Sequence, residues 1–532
     1  MKRFSMFLLC ALLLVSWLTG CGGGTTTTGV STTKGDVVSG ENSNANSNTA
    51  TTGKNSLVVA LINEPTQLDP QYSADSYGSL VILNTHDPLV RRSSTGDIVP
   101  CIAESWETAD DGTSITFKIR QGVKFQDGSS LTADDVAFSL NRAIEKYQSD
   151  LFTASFKEAR VIDDTHVILD LLYADIAALA LLTNGNNCIV SKAIVESVGD
   201  ENYTNAICGT GPYKLLDWTK GSKLTFEANG DYWKGAPPVK NLELRILKEA
   251  TTALVALQTG DVDQVFNLGT FDLDAAKQDA ALAFQEIPST TIWSIGFNCN
   301  MEPMNNPKVR MALTMAINKD DVILGALDGA GFRADCILPD NTAGHPGIDK
   351  VQKIPFDVEG AKALLTEAGY PGGAGLNVKL YVREDQTKKV GNVVQSQWSA
   401  IGVNTEIIVM ERSAMLSDME AGKLMAYTIG NVSLTSDASF LMGTLDTRQI
   451  PVSNKVFFSD PEYDKLNDEQ ALLFKDPEAR KEVVGKMINI EATEAPRALI
   501  YYPTANTAYN KDLYVECFPT MENYNFSEQY WK

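Results

Sequence analysis

Histidine is nearly missing from this chain: three in 532 residues, His86, His166 and His345, far apart. None belongs to an H-E-x-x-H helix or to a Cys/His ligand pattern, which removes histidine-built metal sites from the reading. The cysteines never form C-x-x-C, so neither a redox motif nor a zinc ribbon is present. There is no G-x-S-x-G elbow and no phosphate-binding G-x-x-x-x-G-K-[ST] loop. Gly209-Thr210-Gly211 continues as Pro-Tyr-Lys and lacks the third glycine of a dinucleotide fingerprint. Carboxylates are plentiful, yet no fixed pair can be assigned as the acid and base of a glycosidase. Positive charge is short as well, 45 basic against 67 acidic residues and a net charge of −22, which opposes nucleic acid and anionic lipid as partners. What survives these absences is a binder without catalysis, needing no cofactor and no metal.

Apolar runs are also scarce beyond the N-terminus. There, Lys2 and Arg3 precede an apolar run from Phe4 to Leu18 and then Thr19-Gly20-Cys21, the layout of a secretory signal and not of a membrane span. The Leu-x-Gly-Cys ending resembles a bacterial lipobox, so residues 1–20 are expected to be removed and Cys21 to carry the lipid anchor. Loss of Lys2 and Arg3 moves the net charge from −22 to −24. Residues 21–56 are dominated by Gly, Ser, Thr and Asn and cannot bury enough surface to offset ordering, which predicts a flexible tether of roughly 30 Å reach. Six cysteines remain in the body, Cys101, Cys188, Cys208, Cys299, Cys336 and Cys517, at wide spacings that permit buried thiols or a bridge such as Cys188 with Cys208.

The body, Leu57 to Lys532, is too long for one ordinary core and predicts at least two lobes. Ile115, Phe117 and Ile119 alternate with polar residues as in a half-buried strand. Gly122 and Asp127-Gly128 mark turns, and Thr132 with Asp135 predicts a capped helix continued by Val136, Leu140 and Ile144. Pro307 predicts a helix start, and Ala361 to Ala368 a helix closed by Gly369 and Pro371. Strands alternating with helices argue for α/β layers with a ligand crevice between lobes.

The stretch Pro100 to Ala143, with Ala103-Glu104-Ser105-Trp106, Gly122-Val123, Phe125, Asp127-Gly128 and Leu131-Thr132-Ala133, closely resembles the signature of the peptide/nickel family of ABC-transporter solute-binding proteins. Further blocks match in order: Gly209-Thr210-Gly211-Pro212-Tyr213, then Asn229 with Asp231-Tyr232-Trp233, then Leu257-Gln258-Thr259-Gly260-Asp261, Pro307 to Ala316 and Ala361 to Tyr370. The resemblance implies a two-lobed periplasmic-binding-protein type II fold of cluster C, with a discontinuous first lobe and an inserted subdomain. Lobe one is then expected over 57–294 plus 500–532, its inserted subdomain over 86–205, and lobe two over 295–499. The hinge is expected at Trp293 to Asn298 and Arg497 to Thr504.

Site residues follow from the same resemblance. Peptide binders of the family use a lobe-two Asp for the ligand ammonium, and Asp437 in Leu434 to Leu445 matches it; the competing role is a helix N-cap. Where such binders often carry tryptophan just before that Asp, this chain has Gly430-Asn431-Val432-Ser433. Arg383, ahead of the helix through Val390 and Trp398, matches a carboxylate-holding arginine, against a surface pairing with Glu384 or Asp385. Asn63 and Glu64 end the first strand and are expected at the cleft, and Trp293 and Tyr502 are aromatic candidates for its floor or for core packing. The implied activity is capture of a dipeptide or oligopeptide by hinge closure and delivery to an ABC permease and its ATPase, by a monomer on the extracytoplasmic face of the membrane. The rivals are an oligosaccharide or metal-chelate ligand, and a receptor that senses peptides without transport.

Overall fold

The computed structural model describes residues 54–532, apart from 74, 148–152, 434 and 519. The signal, Cys21 and residues 21–53 of the tether therefore lie outside the described residues. Lys54 to Ser56, read as tether from their polar composition, are already docked: Lys54 bonds Asp263, the Asn55 carbonyl accepts from Lys240 and Asn241, and a strand begins at Ser56. Tertiary pairing overrides the local polar character there.

Three main sheets organise the body. A seven-stranded sheet has the order Leu282–Pro288, Thr504–Asn510, Gln264–Phe266, Ser56–Leu61, Asn241–Ile246, Lys223–Ala228 and Tyr213–Thr219. Its first strand runs parallel to both neighbours, Asn241–Ile246 and Gln264–Phe266, and is buried on both faces, which suits its apolar run Leu57-Val58-Val59-Ala60-Leu61. A six-stranded sheet has the order Phe332–Arg333, Arg497–Tyr502, Thr291–Phe297, Ala426–Val432, Asn377–Val382 and Asn404–Val409. One of its faces packs Ile295, Phe297, Leu380 and Val382 under the helices Pro307–Met315 and Gln386–Ala400. The other packs Ile292, Tyr427 and Tyr502 under Ala438–Met442 and Pro477–Glu494.

The third sheet, Ala103–Thr108, Ser114–Ile119, His166–Leu171 and Phe156–Asp163 in spatial order, is antiparallel and forms the inserted subdomain with the helix Ala133–Tyr147. The period-two pattern holds: Ile115, Phe117 and Ile119 are buried and Lys118 is exposed. Thr132 and Asp135 cap the helix reciprocally, hydroxyl to carboxylate at 2.6 Å and amide to hydroxyl at 3.3 Å. Asn306 caps the helix that Pro307 opens.

Two signature blocks meet at one buried carboxylate. Asp87, with no exposed surface, accepts from Arg91 (3.1 Å), Thr210 (3.0 Å), Tyr232 (3.2 Å) and Trp233 (3.0 Å). Gly209 and Gly211 let the same segment lie on Thr85 and His86; a Cβ on Gly211 would fall 2.4 Å from the Thr85 carbonyl carbon. All six body cysteines are free thiols, so no Cys188–Cys208 bridge forms. Burial pushes the Cys101 and Cys336 thiols up to about 12.

Candidate functional site

The chain passes between the two large sheets twice. It leaves the seven-stranded sheet at Pro288 and enters the six-stranded one at Thr291, then returns between Tyr502 and Thr504. The crossings run side by side: Pro288 pairs with Thr504, and the Ser289 amide donates to the Pro503 carbonyl at 2.9 Å. Pocket residues gather around this double crossing because both sheets present strand ends there.

A cavity of about 320 Å³ opens at this place. Thr290, Thr291 and Thr504 of the crossings line it. Tyr77, Arg92, Asn184 and Asn267 approach from the side of the seven-stranded sheet and inserted subdomain, and Val432, Ser433 and Ser436 from the six-stranded sheet. Asn267 is held at φ 53°, the left-handed region that asparagine tolerates better than most residues. The Ser433 amide bonds the Thr290 carbonyl at 2.9 Å, which fixes the lobe-two loop to the crossing. Hydroxyl and amide side chains dominate the lining, and Arg92 is the only charged side chain among its described residues. A second, wider depression of about 670 Å³ carries Glu286, Asp340 and Glu516.

None of the six side chains expected from sequence lines the 320 Å³ cavity, though several stand next to it. Asp437 follows the lining residue Ser436, but its carboxylate is turned to Arg480 of the helix Pro477–Glu494, in a bidentate pair at 2.8 and 2.5 Å. It also caps Ser439, amide at 2.9 Å and hydroxyl at 2.7 Å. Burial pushes the Asp437 carboxyl up, and the Arg480 guanidinium and Ser439 together outweigh it and hold the group below its usual range. Both oxygens are thus engaged inside the protein, in an N-cap and a buried ion pair with Arg480.

Arg383 and Trp293 come together, guanidinium carbon 5.3 Å from the ring centroid, with Trp293 stacked on Tyr501 at 6.4 Å. Arg383 also pairs with Asp385 at 2.8 Å. Both lie at the sheet end that holds Thr291 and Val432. Asn63 donates to the Tyr77 hydroxyl at 3.2 Å and so stands behind a lining residue. Glu64 turns away, accepting from the Trp218 indole and the Gly221 amide, both at 2.9 Å. Tyr502 is core packing, its hydroxyl donating to the Leu338 carbonyl at 2.9 Å.

Sequence reasoning missed Arg92, Tyr77, Asn184, Asn267 and Ser433. Arg92 carried a weak signal, since Val90-Arg91-Arg92 puts two charges in succession on a strand with no adjacent acid to balance the second. The three histidines are elsewhere: His86 is buried between Thr85 and Tyr203, and among the described residues no cluster of His, Cys, Asp and Glu is arranged to hold a metal ion.

Comparison with known proteins agrees with this architecture. Residues 97–450 match the family described as bacterial extracellular solute-binding proteins, family 5 middle. The heme-binding protein A of Haemophilus influenzae is 30% identical over 435 residues, covering 76% of this chain and 79% of that protein. The dipeptide-binding protein of Escherichia coli is 28% identical over 381 residues, 66% and 70% of the two chains. Among solved structures, HbpA2 from Haemophilus parasuis superposes with a TM-score of 0.84 at 24% identity, covering 90% of this chain and all of that one. The oligopeptide-binding protein AppA of Bacillus subtilis, in complex with a nonapeptide, gives a TM-score of 0.67 at 24% identity over 90% and 99%. With the family match spanning most of the body and the two-sheet fold in place, the chain belongs to the extracellular solute-binding proteins of family 5.

Proposed function

We propose that this protein is the capture component of an ABC importer and that it binds a short peptide in the cavity at the double crossing. The observation that carries the reading is the position of that cavity: it is walled by both sheets and floored by the two segments that join them. A solute there touches both lobes at once, so it stabilises the closed arrangement by its differential affinity, and a permease with its ATPase reads that shape. Hydroxyl and amide side chains suit the main-chain groups of a peptide and depend little on its side chains.

Arg383 and Trp293, at the same sheet end, extend the ligand path outward in this reading. Asp437 contributes indirectly, by fixing the loop that carries Ser433 and Ser436. Cys21 holds the body to the extracytoplasmic face through a lipid, and the binding unit is a monomer of two lobes hinged at the double crossing. Relatives named for a dipeptide and for a bound nonapeptide favour a peptide over a sugar, and among the described cavity-lining residues there is no tryptophan to serve as a sugar platform.

The test is native mass spectrometry of protein purified without denaturant, before and after mild unfolding. Released masses forming a set of small peptides support the reading. A single sugar or metal-chelate mass overturns it.

A further inference from the structure

Among the described residues the cavity lining is neutral except for one guanidinium, and none of them gives that guanidinium a counter-ion. Arg92 ends the strand Val90–Arg92, is 9% exposed, and has no carboxylate within ion-pair distance among the described residues. Its neighbour Arg91 makes the contrast, with Asp87 at 3.1 Å. Arg92 donates from Nη1 to the Gly96 carbonyl at 2.9 Å and from Nη2 to the carbonyl of Thr435, two of the five N–H groups a guanidinium carries. Burial lowers its pKa to about 10, against the nearby charge of Asp437, so it stays positive at neutral pH.

A second group in the same lining is also unsatisfied. Ser433 is 3% exposed and its hydroxyl has no hydrogen-bond partner among the described residues. A buried charge without a counter-charge and a buried hydroxyl without a partner are both costly, and a ligand that brings an anion relieves both. Carboxylate is the anion that a planar guanidinium grips best with two parallel N–H groups. A volume of about 320 Å³ is at the small end of ligand sites, which suits a compact solute better than a long chain.

We infer that Arg92 holds a carboxylate of the ligand, with the Ser433 hydroxyl donating to it, so that the cavity selects small acidic solutes. For a peptide this group is the C-terminal carboxylate. The inference rests on the proposed reading of the cavity as the ligand site and assigns that site its charge preference. It also ties recognition to closure, because the same guanidinium reaches the Thr435 carbonyl of the opposite loop.

The experiment is calorimetric titration of the full mature protein with di- and tripeptides, each as free acid and as C-terminal amide. Amidation is expected to weaken binding by about 10- to 100-fold, the worth of one charge-assisted hydrogen-bonded pair. Arg92→Gln is expected to bind acid and amide alike, and Ser433→Ala to lose part of the discrimination. Equal binding of acid and amide by the unaltered protein overturns the inference, and that comparison decides even if Arg92→Gln fails to fold. If no peptide binds, the peptide reading fails separately. Dicarboxylates and sugar acids, titrated against neutral sugars and amines, then decide the charge preference. Binding of the acids alone, lost in Arg92→Gln, supports it; binding of only neutral or cationic solutes, or of none of the acids, overturns it.

Discussion

Asp87 offers the sharpest test of how the inserted subdomain is held. Its carboxylate is fully buried and takes hydrogen bonds from Arg91 and from Thr210, Tyr232 and Trp233, the last three drawn from two separate signature blocks. Asp87→Asn keeps the shape, removes the charge and turns one acceptor into a donor facing donors. The side chain of Arg91 is only 10% exposed, so its guanidinium would keep its burial and lose its counter-charge. Breaking a buried pair in this way costs about 3–5 kcal/mol. Urea unfolding followed by tryptophan fluorescence reads the loss, since Trp233 is bonded to the altered group. Arg91→Met in the Asp87→Asn background removes the stranded charge, so the double variant should be more stable than the sum of the singles predicts, by about 1–3 kcal/mol. A single variant within about 1 kcal/mol of the parent, or strict additivity within about 0.5 kcal/mol, would refute the reasoning.

Four further outcomes are expected. His86 is neutral in the fold because burial, outweighing Asp87, lowers its pKa to about 4; the unfolded chain binds the proton first, so stability should fall by about 3 kcal/mol as pH drops from about 6.5 to about 4, and His86→Gln should flatten that part of a pH-denaturation profile. Asp437→Ala strands the buried Arg480 and should cost about 3–5 kcal/mol in urea unfolding. Gly211→Ala should lose about 1–3 kcal/mol because the new methyl has only backbone to meet, whereas Gly128→Ala, with open space around it, should show the smaller penalty of its positive φ in the same assay. The buried thiols Cys101, Cys188 and Cys336 should stay unlabelled by a thiol reagent until denaturant is added, with Cys299 and Cys517 modified first.

The sequence made the fold legible where local pattern and tertiary demand agree. The alternation of Ile115, Phe117 and Ile119, the Thr132–Asp135 cap and the proline start at Pro307 all read the same way in one dimension and in three. The signature blocks were legible as identity but not as cause: nothing in one dimension shows that Thr210, Tyr232 and Trp233 converge on Asp87. The site was least legible. Asp437 was found by its place in a motif, and its orientation was decided by Arg480, 43 residues further on. Glu64 and Tyr502 look available as polar and aromatic residues, but Trp218 and the Leu338 carbonyl claim them. Arg92 matters because no acid among the described residues reaches ion-pair distance of it, and the lack of a counter-charge is a property that sequence does not display.

The strand Thr504–Asn510 lies inside the seven-stranded sheet, between Leu282–Pro288 and Gln264–Phe266, and Arg497–Tyr502 lies inside the six-stranded one. Both follow in sequence every strand they pair with, and so are made after those partners. Until they arrive, Leu282–Pro288 and Phe332–Arg333 have no neighbour to pair with, and five strands of the seven-stranded sheet end at an open edge on Gln264–Phe266. Neither large sheet can therefore close on a nascent chain, and its unpaired edges remain open to other strands. Such an order of synthesis delays completion of both large sheets, and of the double crossing between them, until the chain has been made as far as Asn510.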